Sequence, residues 1–207
     1  MLFIEAIDPA TLELLIQLQA LPAFSSLRLV RGTGLALQIG HRISIDIDLF
    51  GNIKADEFEV VNQLKSIATP TVLKKSKNIN IFIINGIKVD IVNYPYPWLA
   101  PPLRENNLTI ANIIDIAAMK LSAITGRGTK KDFIDLFFLL KLYSLNQLLN
   151  FYKQKYPDGS EFLVIKSLTY FDDAEDDDFP VMLVDTNWQA VKQRIRNAVK
   201  QFLELGH

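Results

Sequence analysis

The chain has no cysteine in its 207 residues. That excludes disulfides, cysteine nucleophiles and thiolate metal sites, and it fits a cytoplasmic protein. Histidine is almost as scarce. His41 and His207 are too few to build a histidine-rich zinc site. No apolar run approaches the roughly 20 residues of a membrane span, so no membrane partner is expected. The opening, Met1 to Ala10, lacks the basic start and small-residue cleavage site of a secretory leader. Neither sign of charge prevails: 22 Lys and Arg face 23 Asp and Glu, a net charge of -1. A globally basic nucleic-acid binder is therefore disfavoured, though a local basic patch is not. What is present is apolar sequence. At 49% hydrophobic residues, a chain of this length can bury a sizeable core in one domain or two small lobes.

The periodicity predicts a mixed architecture. Asp8-Pro9 opens a helix over 10–20, with Leu12, Leu15, Ile16 and Leu18 apolar. Strands follow near 27–31 and 45–50. Residues 55–67 read as an amphipathic helix carrying Phe58, Val61, Leu64 and Ile67. Strands near 71–75, 79–84 and 87–92 complete a mixed sheet, the last two joined by the hairpin signal Asn85-Gly86. Residues 93–108 contain Pro95, Pro97, Pro101 and Pro102, which resist helix and central strand alike. Beyond them, helical spacing runs over 110–124, 129–142, 144–156, 160–170 and 188–205, with Thr129 and Ser144 as N-caps. The expected fold class is α+β: a mixed-sheet lobe with flanking helices over 1–105, then a helical lobe over 106–207.

The chemistry concentrates between Leu29 and Phe50. Asp46 and Asp48 stand two apart in an alternating run and so share one strand face, with Ile45, Ile47 and Leu49 on the other. Two carboxylates on one face repel unless a cation lies between them, and a hard divalent ion such as Mg2+ suits oxygen ligands. The alternative is an exposed strand with polar residues on its solvent face. Asp90, between Val89 and Ile91, also points away from the apolar side of its strand. Three carboxylates on neighbouring strands can hold two metal ions, one activating an attacking oxygen and one stabilising a leaving oxygen. Upstream, Gly32-Thr33-Gly34 reads as a tight turn where the backbone can approach a phosphate. Ser44 lies on the face of Asp46, and Arg42 is expected to bind phosphate or to hold an aspartate.

Gly32-Thr33, the Leu35-Ala36-Leu37-Gln38 run, Gly40-His41-Arg42, Ser44 and Asp46-Ile47-Asp48-Leu49-Phe50 together resemble the first motif of the AbiEii/AbiGii-type nucleotidyltransferases, in the DNA polymerase β-like superfamily. Lys88-Val89-Asp90-Ile91 is similar to that family's third-carboxylate strand. Asp115 to Ile124 and Arg127 to Leu136 are similar to its downstream helical motifs. The resemblance spans roughly residues 27 to 142. One departure stands out: the family pattern has two adjacent glycines before the threonine, and the first of them is Arg31 here. Arg31 is expected either to crowd the triphosphate or to contact it.

The resemblance implies a Mg2+-dependent enzyme, with Asp46, Asp48 and Asp90 as metal-holding and catalytic residues. An NMP group would pass from an NTP to an acceptor hydroxyl on RNA, tRNA in particular, or on a protein. Gly32, Thr33, Ser44, Lys120, Arg127, Lys130 and Asp132 are the implied nucleotide-binding residues. Lys120, Arg127 and Lys130 would form a cationic rim on the triphosphate, and Asp135 would orient Lys120 or Arg127 through a salt bridge. The resemblance further implies the toxin of a toxin–antitoxin or abortive-infection pair, with a cognate antitoxin protein. The alternative is a non-catalytic nucleotide-binding or protein-interaction module on the same fold. The acidic run Asp172–Asp178 reads as a solvated linker or helix end, or else a docking surface for a basic partner. Tyr94, Tyr96 and Trp98 either pack over a core edge or stack on a base.

Overall fold

The computed structural model describes residues 1–53 and 55–205; His207 lies outside them. The chain divides into two compact units, residues 1–96 with 101–112, and residues 97–100 with 113–207.

The first unit is built on a seven-stranded sheet. Its strands are β1 (Arg28–Leu29), β2 (Ile47–Gly51), β3 (Thr71–Lys75), β4 (Ile79–Ile84), β5 (Ile87–Asn93), β6 (Leu103–Glu105) and β7 (Leu108–Ile110), in the order β3-β4-β5-β2-β1-β7-β6. The pairs β2–β5 and β1–β7 are parallel and the rest antiparallel. Alternation decides which face is the core. Ile47 and Leu49 of β2, Val89 and Ile91 of β5, and Phe82 and Ile84 of β4 all bury their side chains. They pack with Leu14, Leu15 and Leu18 of helix α1 (Pro9–Ala20) and with Val60 and Leu64 of α3 (Glu57–Lys65). Asp8 starts α1 by accepting the backbone N–H groups of Ala10 and Thr11, with Pro9 in the first helical position.

Two parts of this unit differ from the sequence reading. The Gly32-Thr33-Gly34 segment is not a turn but the start of a helix, α2 (Arg31–Ile39). The proline-rich stretch holds the β6–β7 hairpin, turned by Asn106 and Asn107 at φ 53 and 62. Asparagine tolerates that left-handed conformation, and the hairpin joins the sheet beside β1, which moves the division from 105/106 to 112/113. Tyr94 and Tyr96 pack on one another, and Tyr94 packs on Phe50.

The second unit is helical: α4 (Ile113–Gly126), α5 (Lys130–Leu142), α6 (Leu145–Lys155), α7 (Glu161–Leu168) and α8 (Trp188–Glu204). Helix α4 packs on α5, α6 and α7, and α8 packs on α5, α6 and α7. A capping box starts α6: Ser144 accepts the Gln147 N–H, and the Gln147 side chain accepts the Ser144 N–H.

Candidate active site

The sheet face opposite the core carries the acidic pair. Asp48 and Asp90 are direct partners in the parallel β2–β5 register, and both are buried. Repulsion between them is offset by cations delivered from two directions. Arg31 Nη1 lies 2.9 Å from Asp48 Oδ1 and 3.3 Å from Asp90 Oδ2. Lys88, two residues before Asp90 and so on its face, sets Nζ 2.5 Å from Asp90 Oδ1. The Arg31 guanidinium also lies over the Phe50 ring, 4.9 Å from its centroid. Burial pushes the Asp48 carboxyl up to about 6. The Asp90 and Asp46 charges add to the rise, and Arg31 and Lys88 oppose it.

Arg31 reaches this position from an unusual backbone. Its φ is 54, in the left-handed region. At Gly32, a Cβ would come within 2.4 Å of Arg42 Nη2 and 3.3 Å of Ser44 Oγ, so the bare backbone is what admits the buried Arg42 head. Arg42 Nη1 donates to the Ile43 carbonyl at 3.1 Å. Thr33 is buried inside α2. Its hydroxyl donates to the Asp46 carbonyl and lies 2.8 Å from Ser44 Oγ. Thr33 and Ser44 therefore set the backbone just ahead of β2. His41 is fully buried.

Asp46 lies at the edge of the pair, close enough for its charge to act on the Asp48 carboxyl. It precedes β2, which begins at Ile47, and its side chain is half-buried. Ile45, expected on the apolar face, is exposed, because strand alternation starts two residues later than the pattern suggested. Among the described residues no three acidic or histidine side chains converge closely enough to hold a metal ion together. The expected three-carboxylate cluster is thus a registered pair, Asp48 and Asp90, drawn toward Arg31 and Lys88, with Asp46 beside it. The donor set still suits a divalent cation: two hard oxygen ligands on adjacent strands.

In the helical unit the expected cationic rim is largely internal. Lys120 is buried, with Nζ 3.0 Å from Asp132 Oδ1 and 2.5 Å from Asp135 Oδ2, so Asp135 does orient Lys120. Asp132 also accepts from Arg127 Nε at 3.1 Å and from Thr129 Oγ1 at 2.7 Å. Burial would raise the Asp132 carboxyl, but Lys120, Arg127 and the Thr129 hydroxyl outweigh it and hold it at about 2. Lys130 is buried too. Its Nζ donates to the carbonyls of Glu175 and Asp177, and its backbone N–H donates to Asp177 Oδ2. Within the acidic run, Asp177 thus meets the start of α5, while the Glu175 carboxylate accepts from Trp188 and Lys192 of α8. Arg127 keeps about half of its side chain at the surface.

Arg31 as a counter-ion and Lys88 as its companion were not assigned from sequence. The i, i+2 spacing of Lys88 and Asp90 was a legible signal for the second; nothing local announced the first. The buried pair Asp115–Lys155 was also unassigned.

Residues 13–205 match the profile of the nucleotidyl transferase AbiEii toxin family, a type IV toxin–antitoxin system. An uncharacterized protein from Aquifex aeolicus is 36% identical over 182 residues, covering 85% of this chain and 87% of that one. Among solved structures, MenT4, a nucleotidyltransferase toxin from Mycobacterium tuberculosis, is similar with a TM-score of 0.60 at 17% identity, covering 92% of this chain and 80% of that one. JHP933 from Helicobacter pylori is similar with a TM-score of 0.57 at 18% identity, with 97% of each chain covered. At such identities the structural likeness shows the fold. With the family match spanning most of the chain, and with an acidic pair on adjacent strands of the expected sheet, the protein belongs to the AbiEii nucleotidyltransferase toxin family.

Proposed function

We propose that this protein moves an NMP group from an NTP to an acceptor hydroxyl on RNA, such as tRNA, or on a protein, using Mg2+ at the Asp48–Asp90 pair with Asp46 beside it. The observation that carries this reading is the register of Asp48 against Asp90, two buried carboxylates on one face of neighbouring parallel strands. When bound, Mg2+ supplies neutralisation of phosphate charge and positions the reacting oxygens. Asp90 accepts the proton of the acceptor hydroxyl. The acceptor oxygen forms the new bond to the α-phosphorus, the bond from that phosphorus to the bridging oxygen breaks, and pyrophosphate leaves. Thr33 and Ser44 act as positioning residues, setting the backbone at Asp46. The main-chain N–H groups at Gly32 and Thr33 open α2 and suit an anion.

Lys120 serves by holding Asp132 and Asp135 in place, and Arg127 is the cation of that cluster with a surface-facing share. The type IV family implies a cognate antitoxin partner. No helix among the described residues is long and apolar enough to cross a membrane; the cytoplasmic setting is proposed on the cysteine-free composition. The test is incubation with each α-labelled NTP, Mg2+ and a whole-cell extract of RNA and protein. Label on a macromolecule, absent with Asp48→Asn, supports the reading and identifies both nucleotide and acceptor. No labelled species from any of the four NTPs overturns it.

A further inference from the structure

The two carboxylates proposed to hold metal already share a cation, and it belongs to the chain. We propose that Arg31 is a tethered counter-ion seated at the metal position between Asp48 and Asp90, so that a divalent ion binds there only as the guanidinium withdraws. This rests on the reading of Asp48 and Asp90 as the metal-holding pair.

A single nitrogen, Nη1, contacts an oxygen of each carboxylate, at 2.9 and 3.3 Å. That is where a bridging cation would sit. The spacing fits N–H···O contacts and not Mg2+, whose oxygen ligands lie at about 2.1 Å. The pair must close inward to take a metal, and the guanidinium prevents closure. The residue is held there at a cost. Its φ of 54 disfavours any side chain, yet that backbone is what aims Arg31 across the sheet face from the first position of α2. Phe50 supports the head from beneath. The carboxylates are buried, while the Arg31 side chain is 36% exposed, so the guanidinium has a route to solvent. Lys88 holds the other oxygen of Asp90 and keeps one positive charge beside that carboxylate when Arg31 leaves. Linkage makes the competition reciprocal: whatever seats Arg31 weakens metal binding by the same factor.

The experiment titrates Mn2+ alone, without nucleotide, into the full chain, followed by calorimetry and by the electron paramagnetic resonance of free Mn2+. Arg31→Gly and Arg31→Gln should each bind Mn2+ about tenfold to a hundredfold more tightly than the unmodified chain, the range for losing a charge-assisted contact. Equal or weaker binding in both overturns the proposal. A gain in Arg31→Gly alone assigns the effect to backbone relaxation and also overturns it. Asp48→Asn placed in the Arg31→Gly background separates the two levels of inference: if the double variant binds Mn2+ like Arg31→Gly alone, the metal pair itself has been misassigned. A measurement without variants covers failure to fold. In the unmodified chain, saturating Mg2+ should shift the Arg31 side-chain nitrogen resonances toward those of a solvated arginine; resonances that stay in place overturn the proposal.

Discussion

Lys155 sets its ammonium 2.7 Å from Asp115 Oδ1, and neither side chain has any exposed surface. The same ammonium donates to the Pro97 carbonyl at 2.8 Å and lies over the Trp98 ring. Asp115 also accepts the backbone N–H groups of Leu99 and Ala100. One ion pair thus ties α4, α6 and the segment Pro97–Ala100 together. Removing one partner strands a buried charge, which costs about 3–5 kcal/mol. Asp115→Ala should lower stability by that amount in urea unfolding. The double variant Asp115→Leu with Lys155→Met should recover much of the loss, because both charges are then gone. Equal losses in the single and double variants would show that the backbone contacts of Asp115 matter more than the charge.

Asp132 predicts an acid-sensitive helical unit. Lys120, Arg127 and the Thr129 hydroxyl hold its carboxyl at about 2, below the ordinary value of 3.8. A depressed acid stabilises above its unfolded pKa and loses that contribution as pH falls through the folded value. The difference is about 2 kcal/mol, present at neutral pH and lost between about pH 4 and pH 2. Asp132→Asn should be less stable than the parent at pH 6, and the gap should shrink toward pH 2. Urea midpoints measured across that range decide it; a gap that stays constant removes the electrostatic explanation.

Asp48→Asn should abolish NMP transfer, with a loss on the order of 10^2- to 10^3-fold or more, as for removal of a key electrostatic group. The amide keeps the shape and takes away a buried negative charge whose carboxyl burial already pushes up to about 6. Thermal unfolding at pH 7 should therefore show the variant no less stable than its parent. A marked fall in melting temperature would mean that the Arg31 contact contributes more to folding than burial of the charge costs.

Gly32→Ala tests the packing behind the site. The new methyl group would meet Arg42 Nη2 at 2.4 Å, and Arg42 is buried and has little room to withdraw. Overpacking of this kind costs about 1–3 kcal/mol. Transfer activity should fall further than that stability loss explains, because Ser44 and the backbone at Asp46 share the same wall. Activity at the parental level would show that the packing of Arg42 and Ser44 against Gly32 does not bear on transfer.

Much of the first unit was legible because alternation is a strong signal. The strands at 71–75 and 79–84 lie where the pattern put them, and β5 extends only to Asn93. The helices from α4 to α8 were legible through their apolar spacing, and α6 also through its Ser144 cap; Thr129 stands ahead of α5, but its hydroxyl donates to the Asp132 carboxylate and does not cap the helix backbone. What escaped was local sequence overruled by its surroundings. Gly32 and Gly34 look like turn residues, yet they sit in a helix whose close approach to Arg42 and Ser44 needs a missing side chain. Four prolines concealed a hairpin that two asparagines turn. Phe58 has helical spacing with buried neighbours but stays exposed. The acidic pair could be read from Asp48 and Asp90. The Lys120–Asp135 salt bridge was legible too; the burial of Lys130 was not, since it depends on the carbonyls of the 175–177 loop.

The outer strand β3 has a consequence for solution behaviour. Among the described residues it pairs only with β4, and all five of its residues are exposed, Val72 and Leu73 among them. An open strand edge of this kind is a template on which a second molecule can add. Two features blunt it here: the register breaks between Val72 and Lys74, and Lys74, Lys75 and Lys77 crowd positive charge along the rim. Colloidal stability then depends on those ammonium groups. Salt screening or lysine acetylation weakens the guard, and light scattering should record self-association rising as either is applied.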